Sequence, residues 1–580
     1  MAASLPSDAS DLESESSSEI AESGDESDIS VSSVNTEDLS DLDFSEDDEE
    51  DGEIGWSRDR ASVNVTPFTA RAGAVSGVAE DGTAKDFFQL FIPDELFDMI
   101  LEETNRYARQ CIARKPDPKW QNTSREEMQA FFGLHVLFGY HNLPETSLFW
   151  SKDETLGVAF VKKVMPRGRF DKLTQYLHLN NNENAIPRGQ PNHDKLFKVR
   201  PFLKAVVKAC REEYRPRQNL SVDEAMVAFK GQLSMKQYVP LKPIKRGIKV
   251  WECANSSNGY VCNLQVYTGR QDGGVTEHGL GYCIVRELSE PFIGKHHHIF
   301  CDNFFTSIKL ACDLLRDDTY ICGTIRSNRR GFPNSLSPQT AEVKALRKGE
   351  SKFYRRGNLV ASVWKDTKLV CFLSTQSNPV GDQTVNRKQR DGTVIQVPTV
   401  PAAISYNKNM GGVDLNDQQR NYYAVGRKSR KWWRYLLWFL VDVSIVNAHI
   451  LETETENHPT RPQLQFRVEL AKTLVGEFSS RSLSVSEGRL TGGHWPVETS
   501  KGRCKHCLKR KQTKWCRMAC TACAKRRYIS LLTFHIQTVT HSFYNCCPLH
   551  VAITLIGARI CVFCVCRSAL TRSQRYPNVT

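Results

Sequence analysis

The sequence predicts an α/β fold, a mixed β-sheet flanked by helices, on three observations. Between residues 219 and 325 the apolar period switches from helical to alternating, in the order strand, hairpin, connection, strand, helix, strand. Within that stretch Asp302 follows directly on the short apolar run HHIFC, and a helix-spaced segment begins at once. The stretch before it, from Phe87 to about Gln218, reads as helix and loop.

The first element is a tail. Of the 66 acidic residues, 20 lie between Met1 and Gly55, where there is no lysine or arginine. Residues 1–85 are therefore expected to form a disordered acidic tail, too poor in apolar surface to offset the entropy of ordering. Serines that precede acids, as in SESE and SGDESD, leave phosphorylation open. The rest of the chain carries 77 basic against 46 acidic residues, a net of +31. An excess of that size points to a polyanion partner, nucleic acid above all.

The N-terminus lacks the charged and apolar regions of a secretory signal, so the 19 cysteines are expected to be reduced and their clusters to be metal ligands. No membrane span is expected. LLWFLVDVSIVNAHIL (436–451) is short and contains Asp442, and LHVAITLIGARICVFCVC (549–566) contains Arg559.

From Phe87 the apolar content rises. IPDELFDMILEETNRYARQ and TSREEMQAFFGLHVLFGY read as helices, the second opened by a capping box at Ser124 and Glu127. NLSVDEAMVAFKG then alternates, and IKVWECANSSNGYVCNLQVYTG reads as two strands joined by a turn near Asn255 to Gly259. HHIFCD is a fourth strand, FTSIKLACDLL a helix with Ile308, Ala311, Cys312 and Leu315 on one face, and YICGTI a fifth strand. This order matches a ribonuclease-H-like sheet. Residues 328–398 interrupt it as a β-rich insertion with a strand pair of its own, KFYRRGNLVASVWKD and KLVCFLST, before a helix resumes after MGGVD.

In such a sheet the first and fourth strands are neighbours, so Asp223 and Asp302 would meet despite the residues between them. A third acid from a helix over the same sheet end would complete an oxygen cage, and Asp414 and Asp417 in GGVDLNDQ are the candidates. Three residues apart on a helix, they would face the same way. Mg²⁺ (or Mn²⁺) prefers such oxygens, and a two-metal site stabilises in-line displacement at phosphorus. Any one of these acids alone reads as a cap or a solvated surface group; jointly they read as a metal cage.

With these residues in view, the chain resembles the piggyBac family of transposases and transposase-derived proteins. The resemblance is carried by SVDEAMVAFKG, YVPLKPIKRGIKVW, CDNFFTSIKLACDLL, GTIRSNRRG, YNKNMGGVDLNDQ and RKSRKWWRYLLWFLVDVSIVNAHIL, over roughly residues 86–525. It implies a cut-and-paste DNA transposase with Asp223, Asp302 and Asp414 at the catalytic positions and Asp417 as a further metal-proximal acid. It also implies metal-dependent strand cleavage, a hairpin closed on the transposon end, and strand transfer to a TTAA target in double-stranded DNA. A nuclear homodimer is expected. The helical parts, 86–218 and 425–500, would serve DNA binding and dimerisation around a catalytic domain at 219–424. The other class of reading is a domesticated DNA- or chromatin-binding protein that keeps the fold without transposing.

Arg326, Arg329 and Arg330 in GTIRSNRRG are candidates for phosphate contact, against a plain solvated basic loop. KPIKRGIK (242–249) is a second basic loop of the same kind. In RKSRKWWRYLLWF, Trp432 is the candidate for stacking on an unpaired base, and Trp438 reads as core.

Cys504, Cys507, Cys520 and Cys523 follow C-x₂-C-x₁₂-C-x₂-C, a spacing that suits tetrahedral zinc, with Cys516 or His506 as substitutes for one ligand. The resemblance implies a cross-brace domain with two zinc ions that recognises transposon ends. Here the partial cysteine-rich segment spans 501–525, and the apolar tail 526–580 departs from the family pattern after Cys523. One zinc is therefore expected, with CVFC at 561–564 the remaining late pair.

Overall fold

A computed structural model describes residues 55–480 apart from 76, 80, 241 and 270–277, together with the backbone of short strands between 496 and 566. Nine strands from the middle of the chain make one mixed sheet. They are β1 (Asn219–Ala228), β2 (Lys236–Tyr238), β3 (Arg246–Asn255), β4 (Val261–Val266), β5 (His298–Cys301), β6 (Tyr320–Thr324), β7 (Ser351–Arg356), β8 (Leu359–Lys365) and β9 (Leu369–Ser374). The order across the sheet is β2-β3-β1-β5-β6-β9-β8-β7, and β4 pairs with β3 further along that strand.

β1 and β3 are antiparallel, with Asp223 opposite Glu252, while β1 and β5 are parallel, with Val222 opposite Cys301. β5 and β6 are also parallel, joined by the right length of crossover, the helix Ile308–Arg316. Ser307 caps that helix, its hydroxyl accepting the Leu310 N–H at 3.2 Å.

The insertion differs from expectation. Residues 328–398 hold three sheet strands rather than a separate pair, and these extend the main sheet: β9 joins β6 antiparallel, with Phe372 opposite Thr324. The turn at Gly357, in the left-handed region at φ 59°, divides KFYRRGNLVASVWKD into β7 and β8. Only Thr384–Lys388 and Val394–Pro398 form a hairpin of their own.

Helices cover the sheet. Those used below are α1 (Arg125–Tyr140), α2 (Pro401–Asn409), α3 (Gly412–Asn421), α4 (Trp432–Glu454) and α5 (Gln463–Val475). The capping box on α1 forms by half. The Ser124 hydroxyl accepts the Glu127 N–H at 3.3 Å, but the Glu127 carboxylate turns to Arg169, whose Nε lies 2.8 Å away. α1 packs on α5 closely enough that a Cβ at Gly133 would stand 2.9 Å from the Ala471 carbonyl oxygen. α4 is long and apolar enough to cross a membrane by length and composition, and most of it is buried in the fold. Its mid-helix acid, Asp442, accepts from Arg467 and from the Val425 N–H, both at 3.1 Å, which removes the cost of an unpaired buried charge.

The second difference lies in the expected tail. The described residues between 55 and 85 are held against the fold. Ser57 bridges Arg355 on edge strand β7, the Asn358 side chain accepts from the Asn64 N–H and donates to the Asn64 carbonyl, and the Thr66 N–H donates to the Tyr320 hydroxyl at 2.8 Å. Gly73–Ala74 then pairs with Tyr214–Arg215. This strap covers an edge whose backbone groups would otherwise lack partners. The acidic run 1–54 lies outside the described residues.

The described residues up to Phe478 belong to one unit that includes the helical segments on both sides of the sheet, and a second unit begins at Ser479. In the second unit Pro496–Arg503 pairs antiparallel with Trp515–Cys520, and Leu549–Ile556 with Arg559–Cys566. The zinc ligands proposed at Cys504, Cys507, Cys520 and Cys523, with His506 and Cys516, have side chains outside the described residues.

Candidate active site

Asp223 lies on β1 and Asp302 is the first residue past β5, one step beyond the Val222–Cys301 partner pair. Parallel pairing therefore sets the two acids side by side at one end of the sheet. Burial pushes the Asp223 carboxyl up to about 6, against the opposing pull of Lys242. Burial also raises Asp302, and the nearby Asp223 charge raises it further. The Phe304 N–H donates to Asp302 Oδ1 at 2.9 Å and fixes the carboxylate at the start of its turn.

Asp414 comes from the first turn of α3, and glycine is what lets that helix approach. A Cβ at Gly412 would stand 2.4 Å from Ser221 Oγ, two residues before Asp223. Behind it Asn416 Nδ2 donates to the Gly259 carbonyl at 3.0 Å, locking α3 to the β3–β4 turn. The Asp414 side chain stays 60% exposed and faces the same cleft as Asp223. Asp417, one turn on, is ion-paired with Arg420, whose guanidinium lies over the Phe439 ring at 4.3 Å. Burial raises Asp417, and Arg420 opposes that rise.

The acids open onto a cleft of about 470 Å³, walled by Asp223, Asp302, Asp414, Lys242, Lys249 and Arg326. Trp251, Tyr267 and Phe304 give it an aromatic side. Lys242 Nζ is 3.1 Å from Asp223 Oδ2 and 3.8 Å from Asp414 Oδ1, so a single cation reaches both acids. Asp223, Asp302 and Asp414 offer carboxylate oxygens, which fit a hard divalent ion. As they stand, among the described residues, no three carboxyl, imidazole or thiol groups close on one point.

The three arginines separate. Arg326 lines the cleft with its Nε 3.4 Å from Asn303 Oδ1. Arg329 Nη2 donates to the carbonyls of Asn303 (3.2 Å) and Phe304 (2.8 Å), so it grips the loop that carries Asp302. Arg330 is exposed. Trp432 opens α4 half-buried, whereas Trp438 is core and stacks on His135 with 3.9 Å between ring centres.

Three further residues belong to the same place: Glu252, which the sequence did not single out, and Lys242 and Lys249, which stand in the basic run 242–249. Glu252, the register partner of Asp223, is fully buried, with neither carboxylate oxygen hydrogen-bonded. Burial pushes it up to about 8, with Arg420 opposing and Asp417 and Asp223 adding to the rise. Lys242 faces the acids, although it stands in a loop that reads as a DNA-facing basic run. Lys249 is 9% exposed and lies 5.6 Å from the Phe304 ring centre. A lone acid inside an otherwise apolar strand segment, as in VWECAN, was the available signal for Glu252.

Comparison with known proteins agrees with this geometry. The family model described as transposase IS4 matches residues 83–449, more than half of the chain. Human piggyBac transposable element-derived protein 3 is 29% identical over 423 residues, covering 70% of this chain and 68% of that one. Human piggyBac transposable element-derived protein 5 is 26% identical over 447 residues, 73% and 81% of the two chains. Among solved structures, a cryo-EM structure of the piggyBac transposase synaptic complex with hairpin DNA is similar, with a TM-score of 0.62 and 27% identity. It covers 72% of this chain and 86% of that one. The sheet order, the acids at one sheet end and these matches together make the chain a member of the piggyBac family of transposases and transposase-derived proteins.

Proposed function

We propose that this chain is a metal-dependent DNA transposase of the piggyBac type, cleaving DNA strands and transferring them to TTAA targets. The observation that carries the reading is the pairing of Asp223 with Asp302 across parallel strands, with Asp414 brought to the same cleft by α3. The strand order β4-β3-β1-β5-β6, with the first three antiparallel and the last two parallel to β1, supports a ribonuclease-H-like catalytic sheet.

In this reading Asp223, Asp302 and Asp414, with Asp417 behind them, would hold Mg²⁺ or Mn²⁺. When bound, paired divalent ions neutralise charge at a reacting phosphate and stabilise in-line displacement. The chain's own part is positioning: β1 and β5 fix two carboxylates, and α3 sets the third. Arg326, at the cleft rim, contacts DNA phosphate, and Arg330 extends that contact. Trp432 stacks on an exposed base. One zinc held by Cys504, Cys507, Cys520 and Cys523 organises the C-terminal unit. The similar piggyBac structure, a synaptic complex with hairpin DNA, supports transposon-end DNA as partner; a homodimer acting in the nucleus completes the proposal.

A second reading, a domesticated protein that binds DNA or chromatin without transposing, is favoured by the similar human proteins, which are themselves element-derived. Incubating the full chain with an end-bearing duplex and Mg²⁺ separates the two. Nicking that Asp302→Asn abolishes supports the transposase; tight DNA binding without nicking supports the domesticated protein.

A further inference from the structure

Acid outweighs base at the catalytic end of the sheet. Asp223, Glu224, Asp302, Asp414, Asp417 and Glu252 gather there, against the cations Lys242, Lys249, Arg326 and Arg420. Arg420 is committed to Asp417 and to Asn416, whose Oδ1 lies 3.0 Å from its Nε. Lys242 is placed differently. It spans from Asp223 to Asp414, two acids supplied by different elements, and lies at the point both face.

The loop that carries Lys242 directs it there. The Val239 N–H donates to the Lys245 carbonyl at 2.8 Å and the Lys242 N–H to the Val239 carbonyl at 3.3 Å, which closes a tight turn between β2 and β3. Pro240 and Pro243 restrict the backbone on both sides of the lysine. A cation lodged between carboxylates offsets their mutual repulsion, and a divalent ion entering the same place must move it aside.

We propose that Lys242 is an internal counter-cation, bridging Asp223 and Asp414 and giving up that place to a divalent ion when one binds. It is a positioning residue whose ammonium and a metal ion exclude one another. The exchange rests on the metal-dependent reading above; the bridge itself stands on the lysine's two ion pairs.

The test uses full-length protein, with Mn²⁺ binding followed by electron paramagnetic resonance and thermal unfolding measured in EDTA and in saturating Mn²⁺. Lys242→Gln is expected to lower the unfolding midpoint in EDTA, and the gap to wild type is expected to close in Mn²⁺. Its Mn²⁺ affinity should rise by roughly tenfold, because no ammonium competes. Lys242→Arg keeps the charge and should retain wild-type stability in EDTA, which guards against a mere packing defect. In an Asp414→Asn background the EDTA penalty of Lys242→Gln should shrink, since one ion pair is already gone. Equal stability of wild type and Lys242→Gln in EDTA overturns the bridge. Mn²⁺ affinity that is unchanged or weaker in Lys242→Gln overturns the exchange alone. A wild-type chain that binds no Mn²⁺ overturns the exchange and the metal-dependent reading together.

Discussion

Asp223 and Glu252 stand in direct register across the antiparallel ladder of β1 and β3, so a cleft-lining acid and a sealed one share a sheet face. Glu252 has no hydrogen-bond partner for either oxygen, and burial holds its carboxyl near 8. A carboxyl raised in the folded state favours folding at low pH and loses that advantage as pH climbs toward its folded value. Wild type should therefore lose about 1.4 kcal/mol per pH unit between roughly pH 4.5 and 8 relative to Glu252→Gln, which has no proton to lose. Urea unfolding of both proteins across that range reads the difference directly. A constant gap between the two curves would mean that Glu252 is not protonated in the fold.

Asp302→Asn keeps shape while removing a charged oxygen. Its neighbour contacts, including the bond from the Phe304 N–H to Oδ1, survive with the amide oxygen in place. Folding should be unchanged, and Mg²⁺-dependent nicking of an end-bearing duplex should fall by at least about a hundredfold. A rate within about twofold of wild type would remove Asp302 from the site.

Much of this architecture could be read from residues in order, and the failures have physical causes. β1, the β3–β4 hairpin, β5 and the helix after it are local signals: alternation, a turn at Asn255 to Gly259, a serine cap. That β7, β8 and β9 extend the main sheet is a long-range matter of which edge pairs with which, and alternation does not encode it. The strap through Ser57, Asn64 and Thr66 is held by backbone bridges and amide side chains, so its sparse apolar content reads as disorder. Asp223, Asp302 and Asp414 were legible because topology alone brings two of them together. Glu252 was not, because a single acid in a strand reads as the solvent side, and this strand has no solvent side. Lys242 was read by its charge and its basic neighbours, whereas the proline-bounded turn points it inward.

Gly412 sets how closely α3 approaches β1. A methyl group there would meet Ser221 Oγ at 2.4 Å and the Asn255 carbonyl oxygen at 3.1 Å. Gly412→Ala should destabilise the protein by about 1–3 kcal/mol, the usual cost of overpacking. Adding Ser221→Ala removes the nearer of those atoms and should recover part of the loss. Chemical denaturation of the two single variants and the double variant gives the coupling; strict additivity would mean the helix shifts elsewhere to make room.

Four thiolates at Cys504, Cys507, Cys520 and Cys523 can close one tetrahedral site, and the tail beyond Cys523 lacks a second set at the spacing of a cross-brace. Purified full-length chain should carry one zinc, and Cys507→Ser should carry none. Two tightly held ions would mean that the later cysteines and histidines supply a second site after all.

Arg326 and Arg329, three residues apart in one loop, should fail in different ways. Arg326 faces the cleft and makes one long contact to Asn303 Oδ1, so its charge is available to DNA phosphate. Arg329 spends its guanidinium on the carbonyls of Asn303 and Phe304, the two residues after Asp302. Arg326→Ala should weaken DNA binding and reduce the slope of log affinity against log salt by about one unit, as expected for one lost phosphate contact. Arg329→Ala should leave that slope nearly unchanged and lower the cleavage rate instead, since the loop holding Asp302 loses its clamp. Salt titrations by fluorescence anisotropy alongside single-turnover cleavage separate the two effects. If Arg329→Ala changes the slope as much as Arg326→Ala does, both arginines bind phosphate and the clamp is not its main role.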